Sequence, residues 1–339
     1  MRAATVVEDP DGTAANQSQY NKPLQILNIP IPTPSQDQIL VKVTACSLCN
    51  SDLAGWLGVV GAVAPYCPGH EPVGVIESVG SAVRGFKKGD RAGFMPSSFT
   101  CKDCNECQTG NHRFCNKKTS VGFQGPYGGF SQYAVADPLS TVKIPDALSD
   151  EVTAPLLCAG VTAYGALRKV PPGVQSVNVI GCGGVGHLVI QYAKALGYYV
   201  RGFDVNDKKL GLAARSGADE TFYSTDATHA DQASATIVAT GAVAAYKAAF
   251  AVTANHGRII AIGVPKGEIP VSLLDMVKRD LSLVATNQGS KEELEEALEI
   301  AVQHQIAPEY EIRQLDQLND GFQEMMKGES HGRLVYRLW

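Results

Sequence analysis

The sequence lacks the features that would place the protein in a membrane or on nucleic acid. No apolar run in its 339 residues reaches the roughly 20 residues that a membrane-spanning helix needs. The first residues, Met1 to Val7, contain no apolar core of a secretion signal. Positive charge is not in excess, because 29 basic residues stand against 34 acidic ones and leave a formal net charge of −5. These absences predict a cytoplasmic protein with neither membrane nor nucleic-acid partners.

What is present suits a folded protein of two domains. Hydrophobic residues make up 45% of the chain and charged residues 19%, so cores can be buried and disorder is not expected. The length is that of two ordinary domains. No internal repeat and no low-complexity tract is found. The domain organisation is therefore read from the hydrophobic pattern.

The hydrophobic pattern changes character near Leu156. Before this point, short strand-like runs such as 39–43 are separated by glycine and proline, which is typical of β-rich regions. After it, strands alternate with helices, beginning with a strand over 177–180, a helix over 185–196 and a strand over 199–203. This alternation predicts a parallel, doubly wound sheet in the second part of the chain.

Four of the nine cysteines lie within fifteen residues, at Cys101, Cys104, Cys107 and Cys115. A disulfide framework would be denser and in a shorter chain. Four thiolates close a tetrahedron around zinc, and the polar residues between them have little to bury without a metal. Iron–sulfur clusters use other spacings. The spacing therefore predicts a structural zinc site with no open position.

A glycine-rich turn follows the strand over 177–180 and begins the next helix, which is the context that gives G-x-G-x-x-G its weight. The predicted diphosphate-binding residues are Gly181, Gly183, Gly184, Val185 and Gly186. Asp204 ends the following strand, where a carboxylate binds the ribose hydroxyls of NAD and repels the extra phosphate of NADP. Lys209 can reach the same ribose. The alternatives are a solvated strand end for Asp204 and an ordinary exposed helix residue for Lys209.

Cys49, His70 and Cys158 share no spacing rule, and a lone histidine is more often a core or surface residue than a ligand. Their surroundings, however, resemble one family, the zinc-containing medium-chain alcohol dehydrogenases that include the yeast enzyme. The matching segments are Cys49-Asn50-Ser51-Asp52-Leu53, Pro68-Gly69-His70-Glu71, Gly89-Asp90-Arg91, the four-cysteine segment, Leu157-Cys158-Ala159-Gly160-Val161-Thr162-Ala163-Tyr164 and the glycine-rich turn. The resemblance spans nearly the whole chain.

The resemblance implies a catalytic zinc with the candidate ligands Cys49, His70, Glu71 and Cys158. It implies that Asp52 orients the histidine and that Ser51 takes the proton of the alcohol. Two thiolates and one imidazole leave a fourth position, where zinc polarises an alcohol or aldehyde oxygen for hydride transfer. Ser51 could instead cap local backbone. The expected cofactors are two zinc ions per chain and NAD(H).

Further cofactor and substrate residues follow from the same resemblance. They are Thr162 near the nicotinamide, Ile262 and Val264 on its carboxamide side, Arg333 and Asn50 at the pyrophosphate, and Trp56 and Pro96 in the substrate channel. Three positions depart from the family pattern. Asn50 replaces a basic residue, Ala54 replaces the histidine that ends the proton relay, and Pro96 replaces a tryptophan of the yeast-like enzymes. These changes favour substrates larger than ethanol and a mainly reductive reaction.

The predicted fold is α/β, with a GroES-like β-rich catalytic domain over 1–152 and 288–339 and a Rossmann NAD-binding domain over 153–287. The predicted function is hydride transfer between NAD(H) and a small-molecule alcohol or aldehyde. One alternative is reduction of a conjugated C=C bond, against which the retained Ser51 and Glu71 argue and for which the missing histidine at Ala54 argues slightly. The other is a non-catalytic NAD-binding protein. Family members are dimers or tetramers, so a homo-oligomer is expected.

Overall fold

The computed structural model describes residues 1–7, 24–330 and 332–339. The strands, in chain order, are β1 (Arg2–Thr5), β2 (Gln25–Asn28), β3 (Ile39–Leu48), β4 (Pro72–Val79), β5 (Arg91–Phe94), β6 (Ser97–Ser98), β7 (Thr119–Ser120), β8 (Tyr133–Ala136), β9 (Thr141–Lys143), β10 (Ser176–Ile180), β11 (Tyr199–Asp204), β12 (Glu220–Tyr223), β13 (Ala233–Val238), β14 (Thr253–Ala261), β15 (Ser282–Ala285), β16 (Tyr310–Gln314) and β17 (Arg333–Arg337). The α-helices are α1 (Asn50–Trp56), α2 (Asn105–Gln108), α3 (Asp150–Pro155), α4 (Val161–Leu167), α5 (Gly186–Ala195), α6 (Asp207–Arg215), α7 (Val243–Val252), α8 (Leu273–Arg279), α9 (Lys291–His304) and α10 (Leu318–Lys327). Short 3₁₀ segments span His112–Phe114, Ser224–His229 and Leu315–Gln317, and a π-helical turn spans Leu156–Gly160.

These residues divide into two compact units. The first comprises Met1–Cys158 and Glu309–Trp339, and the second comprises Ala159–Pro308. Within the described ranges, no helix combines the length and the apolar character needed to cross a bilayer.

The first unit is built on a mainly antiparallel sheet with the order β16-β17-β3-β4-β5-β9, in which β8 also pairs with β3. Its central strand β3 is long because a mostly apolar and β-branched run, interrupted by Lys42 and Ser47, buries side chains on both faces. In the register, Leu48 at the end of β3 lies opposite Leu334, and Cys46 lies opposite Pro72. The end of β3 and the beginnings of β4 and β17 therefore meet at one edge of this sheet.

The second unit contains a six-stranded parallel sheet with the order β12-β11-β10-β13-β14-β15. The chain starts at the central strand β10, adds β11 and β12 on one side, and then continues from β13 to β15 on the other. This is the doubly wound order of a Rossmann fold, so the predicted fold class is confirmed. Strand β10 is buried along Val177–Ile180, because parallel sheets of this type are covered on both faces.

The observed unit boundaries differ from those expected from the sequence. The first unit extends to Cys158 rather than to residue 152, and residues 288–308 lie in the second unit rather than in the first. The reason is helix α9, whose apolar stripe is buried within the second unit. The hydroxyl of Tyr192 on α5 also donates a hydrogen bond to the backbone oxygen of Ala297 on α9 at 3.1 Å.

Candidate metal centres and dinucleotide site

The four clustered cysteines of the first unit converge into a tetrahedral arrangement. The Sγ–Sγ distances are 3.5 Å for Cys104 and Cys107, 3.6 Å for Cys101 and Cys115, and 3.9 Å for Cys101 and Cys107. A zinc ion with Zn–S bonds of about 2.3 Å requires tetrahedron edges of about 3.8 Å. All four Sγ atoms lie within 4.8 Å of one another. The donor set and its dimensions therefore fit the closed zinc site that the sequence predicts.

The backbone around these cysteines already favours one thiolate. The N–H of Cys101 donates a hydrogen bond to Sγ of Cys115 at 3.5 Å, and this contact lowers the pKa of Cys115 to about 6. By contrast, the hydrogen bond between Cys101 and Asp103 raises the pKa of Cys101 to about 12. A divalent cation would supply the positive charge that the remaining thiolates require.

A second cluster is buried at the sheet edge where β3, β4 and β17 meet. It consists of Cys49, His70, Glu71 and Cys158, whose ligand atoms lie within 4.8 Å of one another. Nδ1 of His70 is 2.9 Å from Oδ1 of Asp52, whereas the buried Nε2 has no hydrogen-bond partner. Because Nδ1 is engaged by Asp52, Nε2 is the ring nitrogen left to face the two sulfur atoms. This orphaned nitrogen is what a metal ligand requires.

The two thiols of this cluster have pKa values shifted in opposite directions. A hydrogen bond from Cys158 lowers the pKa of Cys49 well below its ordinary value, and the same bond, together with burial, raises the pKa of Cys158. A bound dication would stabilise both sulfur atoms as thiolates, which fits the chemistry of a zinc site.

Asp52 ties together the two chain segments that carry Cys49 and His70. Its Oδ2 accepts the backbone N–H of Cys49 at 2.9 Å, and its Oδ1 accepts the N–H of Gly69 at 3.0 Å. Gly69 has a φ of +98°, and a Cβ there would lie 2.6 Å from the backbone nitrogen of Phe130. Only glycine therefore allows the approach that places His70 beside Cys49.

Cys158 reaches the cluster through the π-helical turn that follows α3. Such a turn inserts one extra residue into a helix and changes the direction of the side chains that follow, and it is frequent at functional sites. The turn packs against Gly93 of β5, where a Cβ would lie only 2.8 Å from Cδ1 of Leu157. The local helix distortion and the glycine opposite it together position Sγ of Cys158.

Glu71 is paired with Arg333 at the beginning of β17. Nη2 of Arg333 lies 2.6 Å from Oε1 of Glu71 and 3.1 Å from Oγ of Ser47, and the arginine is 5% exposed. Burial raises the pKa of Glu71 to about 8, although Arg333 acts in the opposite direction. The partners of Arg333 in the structure are thus Glu71 and Ser47, and its contact with a pyrophosphate stays a prediction.

Helix α1 presents its predicted residues on two different faces. Ser51 and Ala54, three residues apart, share a half-exposed face, and Asn50 is exposed at the first position of the helix. Trp56 lies on the inner face, is 1% exposed and packs against Phe322 with ring centroids 5.2 Å apart. Trp56 was expected in the substrate channel, but it belongs to the core of the first unit, because α1 turns this side chain inward.

Phe123 lies beside the metal cluster, although no spacing in the sequence indicated it. Its ring centroid is 5.2 Å from that of His70, and the side chain is half-buried. Gly55 leaves room for this ring, because a Cβ there would lie 3.2 Å from Cδ1 of Phe123. Only the tertiary fold brings Phe123 to His70.

Pro96, the other predicted substrate residue, is buried just after β5.

The glycine-rich turn of the second unit has one closed side and one open side. Gly181 has a φ of +91°, and a Cβ on Gly186 would lie 1.8 Å from the backbone oxygen of Gly181. For a Cβ on Gly183, by contrast, the nearest contact among the described atoms is Cε of Lys209 at 4.0 Å. The open side of Gly183 is the approach that a diphosphate needs. Lys209 lies close to this side, and its contact with the ribose stays a prediction.

Asp204 supports this turn as well as ending β11. Its Oδ2 accepts the N–H of Cys182 at 2.8 Å, and its Oδ1 accepts the N–H groups of Val205 at 2.8 Å and Asn206 at 3.2 Å. Asp204 is 6% exposed. The sequence indicated the strand end but not this support of the backbone.

The other predicted cofactor residues occupy varied environments. Thr162 on α4 is 7% exposed, Ile262 is half-buried after β14, and Val264 is 87% exposed. Gly184 and Val185 are half-buried in the turn itself. Their contacts with a nicotinamide or a diphosphate stay predictions.

Comparison with known proteins agrees with a β-rich first unit and a doubly wound second unit. Residues 35–146 match the alcohol dehydrogenase GroES-like domain, and residues 184–303 match the zinc-binding dehydrogenase domain. An alcohol dehydrogenase of Geobacillus stearothermophilus is 36% identical, covering 96% of this chain and 99% of that protein. The chain belongs to the zinc-containing medium-chain alcohol dehydrogenase family.

Other members of this alcohol dehydrogenase family support the same assignment. An alcohol dehydrogenase of Rhizobium meliloti is 34% identical, covering 96% of this chain and 98% of that protein. The solved alcohol dehydrogenase of Aeropyrum pernix superposes with a TM-score of 0.87 at 29% identity, covering 99% and 100% of the two chains. A cinnamyl alcohol dehydrogenase of Sorghum bicolor gives a TM-score of 0.87 at 26% identity, covering 99% and 97%. The predicted family is confirmed, and the protein is an oxidoreductase of this class.

Proposed function

We propose that this protein is a zinc-dependent, NAD-linked alcohol dehydrogenase with one catalytic and one structural zinc in each chain. The observation that carries the proposal is Nε2 of His70, which is buried without a partner close to Sγ of Cys49 and Cys158. The tetrahedral four-cysteine site supports the second zinc. The reaction is the interconversion of an alcohol and an aldehyde.

When bound, zinc polarises the oxygen of the alcohol or aldehyde, and NAD(H) accepts or donates the hydride at the adjacent carbon. Cys49, Cys158 and His70 would hold the metal with two thiolates and one imidazole, and Asp52 orients His70 through Nδ1. Oγ of Ser51 takes the proton of the alcohol from the half-exposed face of α1. Ala54, one turn further along this face, has no imidazole to pass that proton to water. The absent relay histidine slows alcohol oxidation more than aldehyde reduction, so the enzyme works mainly as a reductase.

Cofactor choice follows from Asp204. Its buried carboxylate stands at the end of β11, where it binds the ribose hydroxyls of NAD and repels the extra phosphate of NADP. Substrate size follows from Pro96, because a proline in place of an indole leaves space beside the reacting carbon. The enzyme therefore accepts aldehydes larger than acetaldehyde.

Assembly into a dimer or tetramer completes the proposal. Three apolar side chains on α8 are largely exposed, namely Leu273 at 74%, Leu274 at 65% and Val277 at 79%. A second copy of the chain would remove them from water. The nine cysteines form no disulfide, which suits a reducing compartment such as the cytoplasm.

The test is a turnover assay of the zinc-loaded protein with NADH or NADPH and a panel of aldehydes of rising size that includes enals. The expected result is NADH-dependent formation of alcohols, together with loss of one zinc and of turnover in Cys158→Ser. Cys67→Ser is the matched control, because burial raises the pKa of Cys67 to about 12 and this thiol is outside the cluster. Saturated aldehydes formed from enals would identify a C=C reductase instead. A protein that binds NADH but turns over none of these substrates would be a non-catalytic NAD-binding protein.

A further inference from the structure

His187 is a buried residue next to the glycine-rich turn, and neither the sequence pattern nor the proposed reaction uses it. It is the second residue of α5, and its exposed fraction is 0%. Nδ1 of its ring lies 2.8 Å from the backbone oxygen of Gly183. The same oxygen accepts the backbone N–H of His187 at 3.0 Å. Because a carbonyl oxygen only accepts, Nδ1 carries a proton and donates it in this bond.

The ring and backbone N–H groups of His187 both donate to the carbonyl of Gly183, and together they fix the orientation of the peptide plane between Gly183 and Gly184. In a trans peptide the C=O and N–H bonds point in opposite directions. Since the carbonyl of Gly183 points into α5, the N–H of Gly184 points out of the beginning of this helix. That is the direction in which a helix N-terminus presents its free N–H groups to an anion.

This peptide has few other restraints. Glycine lies on both sides of it, so no Cβ limits its rotation. A side chain at Gly183 would meet open space apart from Cε of Lys209. By contrast, Gly181 is enclosed, because a Cβ there would lie 2.8 Å from Cβ of Thr240. The bond from His187 therefore acts on the part of the turn that packing leaves free.

We propose that His187 is a positioning residue for the dinucleotide, which acts through its Nδ1–H bond to Gly183 by holding the N–H of Gly184 toward the diphosphate. This inference rests on the proposed NAD-binding function. The imidazole does not touch the cofactor in this role and does not enter the hydride transfer.

The test compares His187→Leu with His187→Asn in the zinc-loaded enzyme. Leucine removes the donor, whereas the amide nitrogen of asparagine stands about where Nδ1 does and can donate to the same carbonyl. We expect His187→Leu to raise the dissociation constant of NADH, measured by fluorescence titration, by about 3- to 10-fold. The KM for NADH should rise by a similar factor, while kcat at saturating NADH stays unchanged. His187→Asn should bind NADH nearly as the wild type does.

Tyr192→Phe is the matched control, because it removes a different hydrogen bond from the same helix, the one to the backbone oxygen of Ala297. It should lower the unfolding temperature without changing the affinity for NADH. If His187→Leu does not fold, His187→Gln replaces it in the test. The amide of glutamine lies one carbon further from the backbone than the position of Nδ1, so this variant should also weaken NADH binding.

If His187→Leu binds NADH as tightly as the wild type does, the positioning role is overturned. It is also overturned if His187→Asn and Tyr192→Phe lose as much affinity for NADH as His187→Leu does. Either result would leave the proposed function intact. A wild-type protein that binds no NADH would overturn both.

Discussion

Asp204→Asn removes one of the two carboxylate oxygens that support the glycine-rich turn while it keeps the shape of the side chain. In the structure, Oδ2 accepts the N–H of Cys182, and Oδ1 accepts those of Val205 and Asn206. Asparagine has a single acceptor oxygen, and its amide nitrogen can only donate. At least one of these N–H groups therefore loses its acceptor, and the one on Cys182 is buried.

Leaving a buried donor unsatisfied costs about 1–3 kcal/mol. For a folding unit of about 150–250 residues, each kcal/mol lowers the unfolding temperature by about 2–4 °C. We therefore expect Asp204→Asn to lower it by about 2–12 °C. Loss of the negative charge should also weaken NADH binding and reduce the preference for NADH over NADPH, because repulsion of the 2′-phosphate disappears.

The assay is thermal unfolding of the zinc-loaded protein, combined with fluorescence titrations of NADH and NADPH. Asp207→Asn is the control, because Asp207 begins α6 just after this connection, is exposed and contacts the hydroxyl of Tyr223 at the surface. Its effect should stay within about 0.5 kcal/mol. An Asp204→Asn variant with the unfolding temperature and the NADH-to-NADPH preference of the wild type would refute the reasoning.

The remaining predictions concern metal, proton transfer, substrate size and assembly. Elemental analysis should find about two zinc ions per chain, and Cys104→Ser should remove one and lower the unfolding temperature while the catalytic zinc remains; one zinc or none in the wild type would contradict this. Ala54→His should raise alcohol oxidation near neutral pH by up to about 100-fold and affect reduction less, in assays between about pH 6 and pH 9. An unchanged pH profile would count against the missing relay. Pro96→Trp should lower kcat/KM for large aldehydes more than for acetaldehyde, and ethanol as the best wild-type alcohol would show the space argument to be wrong. Leu273→Glu should reduce the molar mass measured by light scattering. An unchanged molar mass would show that the exposed apolar surface around Leu273 does not form the oligomer interface.

Sites formed by neighbouring residues could be predicted from the sequence by physical reasoning alone. The four cysteines from Cys101 to Cys115 lie so close along the chain that few folds could keep them apart, and their thiolates require a cation. The glycine-rich turn was equally local, because tight turns and close backbone contacts at Gly181 and Gly186 exclude side chains. The doubly wound sheet followed from the alternation of strands and helices, which depends on local periodicity.

The proposed catalytic cluster is different, since its candidate ligands come from distant segments. Cys49, His70 and Cys158 could be joined only through resemblance to a family, because spacing carries no information about residues that meet through a fold. The structure supplies the physical reasons. The end of β3 meets the beginnings of β4 and β17 at one sheet edge, Asp52 accepts backbone hydrogen bonds from both loops there, and a π-helical turn directs Cys158 inward.

Tertiary packing also decided the points on which expectation and structure differ. Trp56 is buried against Phe322, and α9 packs within the second unit, because each buries its apolar surface where the fold offers a partner. The support of the turn by His187 and the contact of Phe123 with His70 depend on side-chain directions that periodicity does not specify. The sequence alone thus determined the elements, the four-cysteine segment and the turn, while the fold decided which distant side chains face one another.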